Sequence, residues 1–177
     1  MIPGGVSQLW RDERLRAVFA ACVTLGFAVG VFAVSFGVTS VSAGASVGQT
    51  CVMSLLVFTG ASQFSAVSVL GAGGSAASAF GGAALLAARN SVYGLAMAPH
   101  LKGRLGTRLV AAQLTIDEST AMAVSRSAEH DGGRASRFAF WATGLSVFVF
   151  WNLATLAGAI GANALGDAGM STIAEAL

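Results

Sequence analysis

The run AVFAACVTLGFAVGVFAVSFG, residues 17–37, decides the fold. It carries no charge. As helix, at ~1.5 Å per residue, it is long enough to cross the ~30 Å hydrocarbon core of a bilayer. The same chemistry continues outward from it: between Ala17 and Leu101 the only charged side chain is Arg89, among Ala, Gly, Val, Leu, Ser and Phe. Charged residues are 10% of the 177-residue chain and mean hydropathy is +0.73, whereas soluble chains are about a quarter Asp, Glu, Lys and Arg. The sequence therefore specifies an all-α integral membrane protein, a polytopic helix bundle of about four to five membrane segments. A soluble nucleic-acid binder is excluded.

The remaining composition fits lipid. Gly occurs 23 times, and small residues let helix backbones approach closely where no hydrophobic drive brings helices together. Gly26 and Gly30 form one such G-x-x-x-G face. A net charge of +2 needs no nucleic-acid partner, since basic residues flanking spans are an orientation signal. Cys22 and Cys51 lie inside apolar segments without metal-ligand spacing, which reads as packing. No cofactor, metal or catalytic residue is expected.

The chain divides into a polar N-terminal segment (1–16), a transmembrane helical domain (17–162) and a short C-terminal tail (163–177). The basic flank of the first span invites a signal-peptide reading, cleaved near Val41-Ser42-Ala43. The run exceeds the ~7–15 residues of a signal core and more spans follow, which favours a retained span. Residues 36–46, rich in Gly, Ser, Thr and Val, read as a connection near or within the membrane. A second apolar segment covers 47–70, interrupted at Thr59-Gly60-Ala61-Ser62-Gln63. A third covers 75–98, with Arg89 and Asn90 at its centre, and stops at Pro99, where the helix ladder cannot continue. His100, Lys102, Arg104 and Arg108 make a basic loop. Residues 109–125 form a short segment with Asp117 and Glu118 in its middle. Residues 126–137 read as a solvated loop, and 138–162 as a strong span containing Trp141, Trp151 and Asn152.

Three Lys/Arg clusters (11–16, 102–108 and 126–137) should all prefer the cytoplasm. Three full spans between the first two would put them on opposite sides. Re-entrance of the interrupted 47–70 segment, with a dip and return of 109–125, removes the conflict; otherwise the charge bias is overridden.

Polar groups in hydrocarbon are costly, at least ~2.5–3.5 kcal/mol for an ionised one at a helix centre. The candidate substrate or proton pathway residues are Gly60, Ser62, Gln63, Arg89, Asn90, Tyr93, Asp117, Glu118 and Asn152. Each has a second reading. Gln63 either meets a solute at a broken helix or hydrogen-bonds a neighbouring helix. Arg89 lines a polar path, binding a zwitterion or relaying a proton with one acid, or neutralises Asp117 or Glu118 structurally, or snorkels to an interface. Consecutive acids diverge by ~100° on a helix, so at most one faces a cavity, and the pair as a whole either serves a path or faces water. Trp151 reads as packing or interface anchor in preference to a ligand contact. Gly60-Ala61-Ser62-Gln63 before Arg89-Asn90, and Asp117-Glu118-Ser119 before Trp151-Asn152, make a weak inverted repeat, an arrangement by which transporters build midplane sites.

Met53-Ser54-Leu55-Leu56-Val57-Phe58-Thr59-Gly60-Ala61-Ser62-Gln63-Phe64, then Ala88-Arg89-Asn90-Ser91-Val92-Tyr93-Gly94 with Ala98-Pro99, then Leu114-Thr115-Ile116-Asp117-Glu118-Ser119, resembles the AzlC family, large subunits of branched-chain amino acid exporters. The resemblance runs from about Ala17 to Gly161. It implies export of valine, leucine, isoleucine and methionine across the bacterial plasma membrane by a multi-pass permease driven by proton-motive energy, with a small AzlD-type membrane partner. Many members carry Asn and His where this chain has Ala87 and Asn90, so any proton role of that His is absent or moved. Relatives continue through further hydrophobic segments, which implies either a compact variant or a missing C-terminal part. The alternative function is a non-transporting membrane scaffold or assembly subunit. An intramembrane enzyme is disfavoured, because Asp117 and Glu118 diverge on a helix and His100 and His130 lie in loops without a nucleophile beside them.

Overall fold

The computed structural model describes residues 12–128 and 133–176, with side chains as far as residue 166. Most of the N-terminal segment (residues 1–11), His130 with the middle of the 126–137 loop, and the side chains of most of the C-terminal tail lie outside the described residues. All regular structure among the described residues is helical: α1 (Glu13–Ser42), α2 (Val47–Leu56), α3 (Ala61–Gly71), α4 (Ala76–Ala87), α5 (Arg89–Met97), α6 (Leu105–Gln113), α7 (Asp117–Val124) and α8 (Arg134–Ala176).

Two of these are long and apolar enough to cross a membrane: α1, and α8 over Arg134–Gly166. Only 28% of the most apolar window of each is buried, whereas the core helix of a soluble protein would hide most of its surface. Phe27, Phe32, Leu153 and Ile160 instead face outward. Asp12 caps α1, its carboxylate accepting the N–H groups of Arg14 at 3.0 Å and Leu15 at 3.3 Å.

The expected connection at 36–46 is mostly helix, and the turn is confined to 43–46. The hydroxyls of Ser35 and Thr39 donate to carbonyls of their own helix, at 2.6 and 2.7 Å, so they do not compete with the ladder. The stop is local. Gly44, at φ 93°, closes the end of α1, where the Ala45 N–H reaches the Ser40 carbonyl at 3.1 Å and the Gly44 N–H reaches that of Val41 at 2.9 Å. Ser46 then opens α2 in a reciprocal box with Gln49. The same device recurs at Gly73-Gly74-Ser75, between α3 and α4.

Other boundaries move as well. The 75–98 run is interrupted at Ala88, the residue just before Arg89. The basic loop ends at Arg104, and Arg108 belongs to α6. The 109–125 segment is two helices separated by Leu114–Ile116, so Asp117 and Glu118 open a helix and do not sit in the middle of one. Arg134 and Arg137 begin α8, which continues past 162 to Ala176.

The chain forms two compact units, one from 12–28 with 89–148 and one from 29–88 with 149–176. In the first, Val18, Cys22 and Ala139 are buried, with Met122, Phe138 and Ala142 packed on them. A methyl on Gly26 would lie 2.6 Å from Ser146 Cβ, and one on Gly144 would lie 3.0 Å from Leu114 Cβ. In the second, Gly30 meets Phe150, Gly37 meets the Thr155 carbonyl and the Ala159 N–H, and Gly158 meets the Val34 carbonyl. Phe36 stacks edge-on against Phe64 at 5.5 Å. In each unit α1 therefore packs backbone-close on α8, as small-residue faces allow in lipid.

Gly37→Val is expected to destabilise the protein by about 1–3 kcal/mol, while Gly161→Ala, where a side chain meets nothing within 4 Å, leaves it unchanged. Thermal unfolding in detergent, read as the loss of monodisperse protein, tests the difference.

Candidate functional site

In each unit a buried polar side chain closes a break between two short helices. In the second unit the ladder stops after Leu56 and resumes at Ala61. Gly60, at φ 43°, precedes α3 and offers no side-chain cap. Gln63, fully buried in the first turn of α3, donates its amide N–H to the Met53 carbonyl at 3.3 Å and accepts the Trp151 indole N–H at 3.1 Å. Because the indole only donates and the carbonyl only accepts, these partners fix which way the amide points. The Trp151 ring also lies against Gly60, 3.3 Å from where a methyl would stand.

Below this break runs a ladder of buried hydroxyls. Ser40 pairs with Thr50 at 2.8 Å, and Ser54 donates to Thr155 at 3.3 Å. Thr50 and Ser54 are four residues apart on α2, and Trp151 and Thr155 four apart on α8, so each pair presents one helix face. Asn152 is half-buried beside Trp151 in sequence.

In the first unit the ladder stops after Gln113 and resumes at Asp117. Ser119, fully buried, donates to the Leu114 carbonyl at 2.6 Å and accepts the Ile116 N–H at 3.1 Å. Asp117 and Glu118 occupy the first turn of α7, where the helix dipole favours negative charge. Arg89 Nη1 lies 3.0 Å from Asp117 Oδ2, with the two side chains 44% and 43% exposed. Half-open pairs of this kind contribute about 0–1 kcal/mol in water. Asn90 and Tyr93, both half-buried, share α5 with Arg89.

The expected site residues thus fall into two groups. Gly60, Ser62, Gln63 and Asn152 belong to the second unit, and Arg89, Asn90, Tyr93, Asp117 and Glu118 to the first. Gln63 hydrogen-bonds a neighbouring helix, one of its two expected readings, but its partner Trp151, the closure by Ser119 and the hydroxyl pairs go beyond the sequence reading. A signal for them was present: Thr50 with Ser54 and Trp151 with Thr155 recur at helical spacing. No group of three or more His, Cys, Asp or Glu suited to a metal occurs among the described residues.

Apolar helices of membrane length, together with broken helices closed by buried polar side chains, point to a membrane protein. The family model described as AzlC protein matches residues 24–165, most of the chain, and the chain belongs to the AzlC family. That family is transport-associated and not an enzyme family, and its membership makes this a branched-chain amino acid transport-related membrane protein, part of a transport system. No curated protein and no solved structure matches the chain.

Trp151→Phe and Gln63→Leu are each expected to destabilise the fold by about 1–3 kcal/mol, because each strands a buried polar partner. The double variant should lose less than the sum, with a coupling of at least ~0.5 kcal/mol. A double-mutant cycle on detergent-solubilised protein measures it; strict additivity would show that the hydrogen bond contributes nothing.

Proposed function

We propose that this chain exports branched-chain amino acids across the bacterial inner membrane, as the large subunit of a permease with a small AzlD-type partner. The family match over residues 24–165 carries the reading. The broken helices support it physically. At ~1.5 Å per residue, α2 and α3 each climb about 15 Å, half of a ~30 Å core, so the break at Val57–Gly60 comes to lie near mid-bilayer. Discontinuous helices in the two halves of a transporter place substrate sites at that depth. The α6–α7 break is the counterpart in the other half of a weak inverted repeat. With α1, α4–α5 and α8 as spans and the broken pairs as further membrane segments, the multi-pass bundle has four to five segments. Re-entrance of the α2–α3 pair leaves the three basic clusters on one face.

Gly60, Ser62, Gln63 and Asn152 are assigned to the substrate path by the α2–α3 break. Arg89, Asn90, Tyr93, Asp117 and Glu118 are assigned to a polar path in which the Arg89–Asp117 pair opens and closes with the transport cycle. The half-open state of that pair suits a switch better than a fixed strut, since little energy is needed to part it.

The test is retention of leucine and valine in dipeptide-fed bacteria lacking their own exporters, with the chain expressed alone and with the small partner. Faster loss of leucine and valine, but not of lysine or aspartate, is expected, and Arg89→Ala should abolish it while membrane insertion is kept. A stable complex with the small partner that moves no solute would instead mark a scaffold subunit.

A further inference from the structure

Among the described residues, the buried hydroxyls of Thr59, Ser62 and Thr120 have no hydrogen-bond partner. The fold does not treat hydroxyls this way elsewhere. Ser40 and Thr50 pair with each other, Ser54 pairs with Thr155, and Ser35 and Thr39 return to their own helix. A buried hydroxyl without a partner is unfavourable, so two of them three residues apart, on either side of Gly60, call for an explanation.

Ser62 is 1% exposed and is the second residue of α3, a helix of 11 residues. Helical Cα–Cβ bonds tilt toward the N-terminus, so its hydroxyl leans toward the open head of α3. Gly60 puts no side chain there to cap the helix. The head of a helix carries partial positive charge and surplus N–H groups, which suits an anion and disfavours a cation. The other break differs, because Ser119 already donates to Leu114, which leaves its hydroxyl no proton to offer an anion.

We propose that the break at Val57–Gly60 is the carboxylate subsite for an α-amino acid, with the Thr59 and Ser62 hydroxyls as its side-chain donors. This rests on the transport reading above and states which group of the substrate is held where. A carboxylate only accepts hydrogen bonds, and here it would take two hydroxyls and the N–H groups at the head of α3 together. Gly60 leaves that approach clear of a side chain, and the Trp151 indole, locked by Gln63, forms a rigid wall beside it.

The test is equilibrium binding of leucine and of leucinamide, which lacks the carboxylate, to the purified full chain in detergent. Thr59→Val and Ser62→Ala are measured alongside, with the unliganded melting temperature of each. Leucine should bind the original chain at least about tenfold more tightly than leucinamide, and each variant should lose about tenfold in leucine affinity. The unliganded melting temperature should not fall, since each variant removes a hydroxyl that has no partner. Equal leucine affinity in the original chain and both variants would mean that the hydroxyls hold water at most, and would overturn the proposal. Equal binding of leucine and leucinamide would do so without any variant having to fold, and would leave the transport reading standing. No leucine binding by the original chain, alone or with the small partner, would remove both.

Discussion

A helix that stops in apolar surroundings leaves carbonyls and N–H groups that the protein itself must satisfy, and this constraint shapes the rest of the structure. Two of its helix ends, at Leu56 and at Gln113, are answered by a side chain from the first turn of the next helix. Gln63 reaches back to Met53, and Ser119 reaches back to Leu114. The two solutions differ in reach. Ser119 closes its break within a few residues, whereas Gln63 also recruits Trp151 from α8. The geometry of the first break is thereby tied to a distant part of the chain, while that of the second is set locally.

Close packing of α1 on α8 complements this. Gly26, Gly30 and Gly37 on one helix and Gly158 on the other bring backbone against backbone or Cβ, so the two long helices are held by dispersion over a glycine seam. Their large residues are left to face outward, as at Phe27 and Phe32. Charge contributes little to the scaffold. The Arg89–Asp117 pair is half-open and joins two short helices.

Much of this was legible in the residues. The uncharged run from Ala17 predicted a membrane helix, Pro99 predicted the end of α5, and the Thr59–Gln63 cluster located a break that the structure places at Val57–Gly60. Glycine was ambiguous. Gly37 reads as a breaker by composition but is a helix-packing contact, and only Gly44, with its positive φ and the serine cap two residues later, ends the helix. The break at Leu114–Ile116 was missed because no glycine or proline marks it; its signal is Ser119, which looks like an ordinary small residue until the backbone groups it serves are counted. The link from Gln63 to Trp151 spans 88 residues, and no local pattern encodes a partner at that distance.

The paired turns at Gly44-Ala45-Ser46 and Gly73-Gly74-Ser75 bear on biogenesis. Each joins a glycine stop to a serine start, so the backbone groups at both helix ends are satisfied by neighbours a few residues away. Such corners can form as soon as their own residues leave the insertion machinery, before any distant helix exists to pack on. The stretch from Glu13 to Ala87 can therefore close its helix corners while it is still being made. Only the open break between α2 and α3 must wait for Trp151, which is synthesised last among its partners.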